Sequence, residues 1–260
     1  HSSAPSSISA ILSGIAIEVG LYAVVRVLFT VFGITSFYTF LVFLGILTLL
    51  IGEMSAFSQN NIKRMLAYSS IGQMGLIIFA IAIATSDAVA GGIFQMISHT
   101  LGKGLLFLAA GYMIVRSGSM EISSFNGMGK KMPVTSLCFT VGALSLVGLP
   151  PFVGFPSKLL IIKAALAEES FIYTVLIGLA LLATVIEGAY FFRVIQVIYF
   201  SKEETEHHRE EAPAAALIPM FVFMILIIAI GIYPGSVTEV LNSAASELLN
   251  RIAYIRSIMG

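Results

Sequence analysis

The sequence predicts an all-α integral membrane protein, a bundle of about seven transmembrane helices with one of them broken by a proline pair. Three observations carry this. Of the 260 residues, 58% are hydrophobic and only 11% are charged, where a soluble domain carries about 25% charged residues. The mean hydropathy is +0.98. The apolar residues also fall in runs of about 20, the number an α-helix needs to cross the hydrocarbon of a bilayer.

The first run extends from about Ile8 to Phe32. Ser13 and Gly14 interrupt it, which reads as a short half-helix leading into a full span. The second extends from about Phe37 to Ile51, followed by the polar hinge Gln59-Asn60-Asn61-Ile62-Lys63-Arg64. The third covers about Met65 to Ala84 and the fourth about Ala88 to Val115, before a Gly-rich polar loop from Arg116 to Pro133. The fifth, from about Val134 to Ala167, is too long for a plain span and is cut by Gly148-Leu149-Pro150-Pro151-Phe152-Val153-Gly154-Phe155-Pro156. Prolines remove backbone donors and clash with the preceding turn. A broken helix persists in a membrane only where protein or a hydrated cavity satisfies the freed groups. The sixth run is about Phe171 to Phe200 and the seventh about Ala214 to Tyr233. These runs place a helical bundle over 1–235. The remainder, 236–260, spaces its apolar residues helically with polar ones between, as an amphipathic or interfacial helix does.

Lys63 and Arg64, then Arg116, Lys130 and Lys131, then Lys202 and Arg209 fall in alternate loops, while the loops near Gly33, Ser86 and Glu168 have no Lys or Arg. The positive-inside rule puts the basic loops in the cytoplasm and the C-terminal tail on the outer face of a cell membrane. Arg251 and Arg256 in the tail run against this assignment. The zero net charge gives no sign of a nucleic-acid partner. The single Cys138 supports neither an internal disulfide nor a metal site. His207 and His208 lie in an acidic loop, which reads as solvated rather than as a metal site. No motif for a flavin, haem or iron–sulfur cluster is present, so no cofactor is expected. The opening His1-Ser2-Ser3-Ala4-Pro5 reads as the interior of a longer subunit.

The informative residues are charges inside apolar runs. Each costs about 2.5–3.5 kcal/mol at a helix centre on insertion scales, and such residues typically face the bundle interior and mark an ion path. Glu18 and Arg26 share one helical face, as an ion route or as an internal pair that fixes packing. Gln95, His99 and Lys103 recur at i, i+4 and i+8 and line one stripe. An imidazole and an ammonium one turn apart can pass a proton between them, unless Lys103 merely snorkels and His99 bonds a carbonyl. Lys158 follows the proline break and either reaches the cavity there or caps the broken helix, with Lys163 as a substitute. Glu187 lies in the sixth run and calls for a partner on another helix, with transport and structure equally open.

Four segments resemble one family. His1 to Gly14 is similar to the stretch that opens the second half of antiporter-like, proton-translocating membrane subunits, which occur in respiratory complex I, membrane-bound hydrogenases and Mrp sodium/proton antiporters. Asn60-Asn61-Ile62-Lys63-Arg64-Met65-Leu66-Ala67-Tyr68-Ser69-Ser70-Ile71-Gly72-Gln73-Met74-Gly75 is the most specific segment. Ser98-His99-Thr100-Leu101-Gly102-Lys103-Gly104 resembles the family's His-containing helix, and Leu149 to Lys158 its second broken helix. The resemblance covers nearly the whole chain. It implies helices eight to fourteen of a fourteen-helix subunit, comprising most of the second of two inverted repeats, with an N-terminal half and other membrane subunits as partners. It further implies a route through residues like His99 and Lys103 in mid-membrane, with one like Lys158 leading outwards. The family often has lysine where Glu18 stands, so Glu18 reverses a charge and calls for a different partner, such as Lys103. The residues around Glu187 look more like hydrogenase or Mrp-type relatives than NADH-linked ones. The expected function is proton or sodium translocation in a redox-driven complex. The alternatives are a stand-alone Mrp-type antiporter subunit and a non-pumping scaffold.

Overall fold

The computed structural model describes residues 4–27, 29, 35–200 and 210–250. The His207–His208 loop, Arg251 and Arg256 lie outside the described residues. In hydrocarbon a backbone has to satisfy its own N–H and C=O groups, so apolar runs become helices. The first comprises α1 (Ser6–Ile11), a π-helical turn (Leu12–Ala16) and α2 (Ile17–Arg26), one apolar rod of 21 residues. The interruption expected at Ser13 and Gly14 is thus a widened turn and not a break. Next come α3 (Thr35–Phe57), α4 (Ile62–Ala82) and α5 (Ser86–Ser117). A short 3-10 turn at Ile122–Phe125 and α6 (Met128–Lys131) lead to α7 (Pro133–Val147) and α8 (Gly154–Leu166). The chain continues through α9 (Phe171–Phe200), α10 (Ala214–Ile232) and α11 (Gly235–Leu249).

Among the described residues, six helices are long and apolar enough to cross a membrane, and α7 is a shorter apolar helix. With 15 residues α7 rises about 22 Å, short of the roughly 30 Å hydrocarbon core. Together with α8 it supplies a seventh crossing. The break between them falls at the Pro150–Pro151 pair, and its freed backbone groups are satisfied. The Val153 N–H donates to Ile227 O of α10 at 3.1 Å, and Lys158 Nζ donates to Val147 O at 3.2 Å.

Helix ends follow local chemistry. Asn61 Oδ1 accepts from the Arg64 N–H at 3.2 Å and caps α4, and Pro133 opens α7, where its missing N–H costs nothing. Gly118 and Gly148 close α5 and α7 with φ of 70° and 86°, a left-handed conformation that glycine adopts without strain.

The basic connections gather at one end of the bundle. Ile62 N–H bonds Met120 O at 2.9 Å and Ile122 N–H bonds Asn60 O at 2.8 Å, which stitches the α3–α4 turn to the loop after α5. Arg116 pairs with Glu210, and Glu210 N–H bonds Lys131 O at 3.1 Å. Lys63 Nζ donates to Ala4 O at 2.8 Å, so the start of α1 belongs to the same basic end.

α4 and α5 are the central helices: 72% of the most apolar stretch of each is buried, against 17% for α10. Without a hydrophobic force between helices in lipid, close packing of small residues holds them together. Gly45 and Gly52 of α3 face Gly75 and Gly72 of α4, and a Cβ on Gly45 would lie 2.6 Å from the Phe79 backbone nitrogen. Leu241, Ala245 and Leu248 of α11 are buried, and α11 packs along α5.

Candidate functional site

The buried polar residues converge on α4 and α5. His99, Lys103 and Gln95 are fully buried on α5, with Ser69 and Gln73 opposite them on α4. They form three connected groups.

The first lies between α2 and α5. The π-helical turn is pinned by two hydrogen bonds: Thr100 Oγ1 donates to Gly14 O at 2.6 Å, and the Ser13 and Ser70 hydroxyls lie 2.6 Å apart. Just beyond it, Glu18 Oε1 and His99 Nδ1 are 2.7 Å apart. Glu18 Oε2 and His99 Nε2 are buried without a hydrogen-bond partner among the described residues. Arg26 is half-buried two turns beyond Glu18, about 12 Å along the helix.

The second group surrounds Lys103. Its ammonium donates to Leu66 O at 2.9 Å and to the Ser69 hydroxyl. Leu66 O is a shared acceptor, because Ser69 and Ser70 follow it on α4 and also turn their hydroxyls onto it, at 3.2 and 3.1 Å. The carboxylates of Glu53 and Glu187 lie within electrostatic range of Lys103.

The third group ties four helices together. Lys158 Nζ meets Glu187 Oε2 at 2.8 Å. Gln73 Nε2 donates to Glu187 Oε1 at 2.7 Å, Gln95 Nε2 donates to Gln73 Oε1 at 2.7 Å, and the Ser157 hydroxyl donates to Gln95 Oε1 at 2.6 Å. Each buried charge here has an opposite charge or a directed dipole beside it, which offsets the cost of holding it in oil.

The residues expected from the sequence fall into place unevenly. Lys158 caps the broken helix through Val147 O and also pairs with Glu187, which thereby finds its partner on another helix. Glu18 partners His99 and not Lys103. His99 and Lys103 are one turn apart as expected, but their hydrogen bonds diverge, one towards α2 and the other towards α4. Lys163 is exposed. Arg193, six residues after Glu187 on α9, lies apart from the polar cluster and donates to Gln59 O at 2.6 Å.

Sequence reasoning missed Glu53, Tyr190 and Gln73. Tyr190 donates to Glu53 Oε2 at 2.8 Å, and both are fully buried. The second apolar run ends at Ile51 only by hydropathy, because Gly52 and Glu53 lower it; the helix continues to Phe57. A carboxylate in a run that remains helical was the available signal.

Residues 1–186 match the family described as NADH:quinone oxidoreductase/Mrp antiporter, TM. A Na(+)/H(+) antiporter subunit of Bacillus subtilis is 30% identical, over 98% of this chain and 52% of that protein. A chain of the membrane-bound sulfane sulfur reductase, an archaeal respiratory membrane complex, is 38% identical with a TM-score of 0.88, covering 97% of this chain and 51% of that one. A chain of respiratory complex I from Thermus thermophilus is 25% identical with a TM-score of 0.81, covering 94% and 52%. The chain spans about half the length of the curated relatives it matches. An all-helical bundle with a broken helix, a buried file of charges and a family match over most of its length have one reading: this chain belongs to the family of transmembrane subunits shared by NADH:quinone oxidoreductases and Mrp antiporters.

Proposed function

We propose that this chain translocates protons, or sodium ions, as a membrane subunit of a redox-driven respiratory complex. The observation that carries the proposal is the file of buried ionisable groups through the bundle: Glu18–His99, then Lys103, then Glu187–Lys158. Five such groups at insertion costs of about 2.5–3.5 kcal/mol each are a poor way to hold helices together, since buried pairs contribute little net stability over apolar packing. They are a good way to hold and pass ions. His99 and Lys103 receive a proton in mid-membrane, and Lys158, beside the broken helix, passes it on. Glu18 and Arg26 set the field that gates the step. Electron transfer takes place in partner subunits, which bias these charge states through two alternative arrangements of the bundle. An N-terminal half supplies the rest of the route. The basic end faces the cytoplasm of a cell membrane and α11, at the interface, lies on the outer side. The identity to a chain of an archaeal respiratory complex supports the redox-driven setting.

A second reading, a stand-alone sodium/proton antiporter subunit, is favoured by the likeness to the Bacillus subtilis antiporter protein. The experiment is to purify the assembly through a tag on this chain, reconstitute it in liposomes and follow proton flux. Redox centres in the co-purifying subunits and flux on adding an electron donor support the first reading. Flux only under an imposed sodium gradient supports the second. No flux under either condition sinks the transport proposal.

A further inference from the structure

Glu53 is an acid to which the route above gives no task. It is fully buried in α3, one turn before the helix ends at Phe57. Its Oε2 accepts the Tyr190 hydroxyl at 2.8 Å, while Oε1 is buried without a partner among the described residues. Space is made for it: α4 has Gly72 there, and any Cβ would overlap the carboxyl group. A carboxyl that a neighbouring helix accommodates by giving up its side chain is built into the packing.

Tyr190 of α9 bonds Glu53, and the charges of Glu187 on α9, Lys103 on α5 and Lys158 on α8 lie within electrostatic range of it. Two hydrogen bonds lie along a line from Lys103 to Glu53. Lys103 donates to the Ser69 hydroxyl and Tyr190 donates to Glu53; between them Ser69, whose hydroxyl is turned onto Leu66 O, is a neighbour of the Tyr190 hydroxyl and not bonded to it. Beyond Glu53, α3 rises only about 6 Å to Phe57 and the turn that follows. That turn belongs to the basic end, where Arg193 anchors α9 by its bond to Gln59 O.

We infer that Glu53 is a proton site on a branch joining Lys103 to the basic end of the bundle, with Ser69 and Tyr190 as the hydroxyl links. The inference rests on the transport reading and deepens it. In one direction Ser69 first turns its hydroxyl from Leu66 O to Tyr190; the Lys103 ammonium then gives a proton to Ser69 Oγ, Ser69 passes its own hydroxyl proton to Tyr190 Oη, and Tyr190 passes its own to Glu53 Oε2. One proton has moved, Lys103 is left neutral, and the Glu53 carboxylate has become a neutral acid. The reverse sequence loads Lys103 from the basic end, and rotation of the two hydroxyls resets the chain. Glu53 Oε1, free of internal partners among the described residues, is the atom that exchanges with water from the turn.

The test uses the whole complex in liposomes, with a pH-sensitive dye inside and a potassium diffusion potential as the drive. Glu53→Gln should lower proton flux at least tenfold and remove a protonated-carboxyl band from the infrared difference spectrum. Glu53→Asp should restore part of the flux. Tyr190→Phe keeps the ring and deletes only the hydroxyl, so it decides the matter even where Glu53→Gln fails to assemble; it too should lose at least tenfold. Wild-type flux in Tyr190→Phe and Glu53→Gln, with flux abolished in Lys103→Ala, would overturn this branch and leave the transport reading standing. Wild-type flux in all three variants would remove both.

Discussion

Lys158→Met separates the two meanings of the buried pair, structure and transport. Lys158 Nζ lies 2.8 Å from Glu187 Oε2. At an effective dielectric of about 20, unit charges at that distance attract by about 6 kcal/mol, much of it offset by the cost of bringing both out of water. Removing the lysine strands a carboxylate that is 1% exposed and leaves the Val147 carbonyl, freed by the broken helix, without its donor. Breaking a buried pair in this way costs about 3–5 kcal/mol. Gln73 still bonds the other carboxylate oxygen, which holds the loss towards the lower figure. The double variant Lys158→Met with Glu187→Leu removes both charges. It should regain most of the loss and remain about 1–3 kcal/mol short, because the Gln73 amide is then a buried donor with no acceptor. Equilibrium unfolding in mixed detergent–SDS micelles reads the stability, and proton flux in liposomes reads the function. Stability should return in the double variant and flux should not. A single variant costing under about 1 kcal/mol would mean that the pair is hydrated and not buried. A double variant pumping normally would mean that the pair only holds helices.

Three further outcomes follow from the geometry. Glu18→Gln keeps a hydrogen-bonding oxygen 2.7 Å from His99 Nδ1 but removes the charge; flux should fall several-fold while the unfolding free energy stays within about 1 kcal/mol of wild type. Gly75→Ala forces a methyl onto the backbone of Leu49 and to 2.6 Å from Gly45 O, so overpacking of the α3–α4 contact should cost about 1–3 kcal/mol in the same unfolding assay. Gly178→Ala, at an exposed site on α9 where a Cβ meets nothing within 4 Å, should be neutral or gain about 0.5–1 kcal/mol from helix propensity.

The crossings were legible because lipid imposes one requirement, a helix of about 20 apolar residues, and the chain meets it almost residue for residue: the run expected over Phe171–Phe200 is α9. The break was legible because Pro150 and Pro151 cannot continue a helix, and the shared face of Gln95, His99 and Lys103 because helical periodicity is strict. Pairing across helices was not legible. Spacing tells which side of a helix a residue lies on and not which neighbour faces it, so Glu18 is open to Lys103 on sequence grounds and meets His99 in the fold. Hydropathy also ends a span early where a polar residue sits in its last turns, which is why Glu53 falls beyond the expected end of its helix. Gln73 carries no charge to draw notice, yet it links Gln95 to Glu187.

The central claim is that ionisable groups are buried in this bundle in order to move ions. Its most direct measurement is proton flux in liposomes carrying the complex with Lys103→Ala, against wild type at equal incorporation. Lys103 is fully buried between Leu66 O and Ser69, and the account predicts an assembled complex whose flux has fallen at least tenfold. Flux equal to wild type would contradict it.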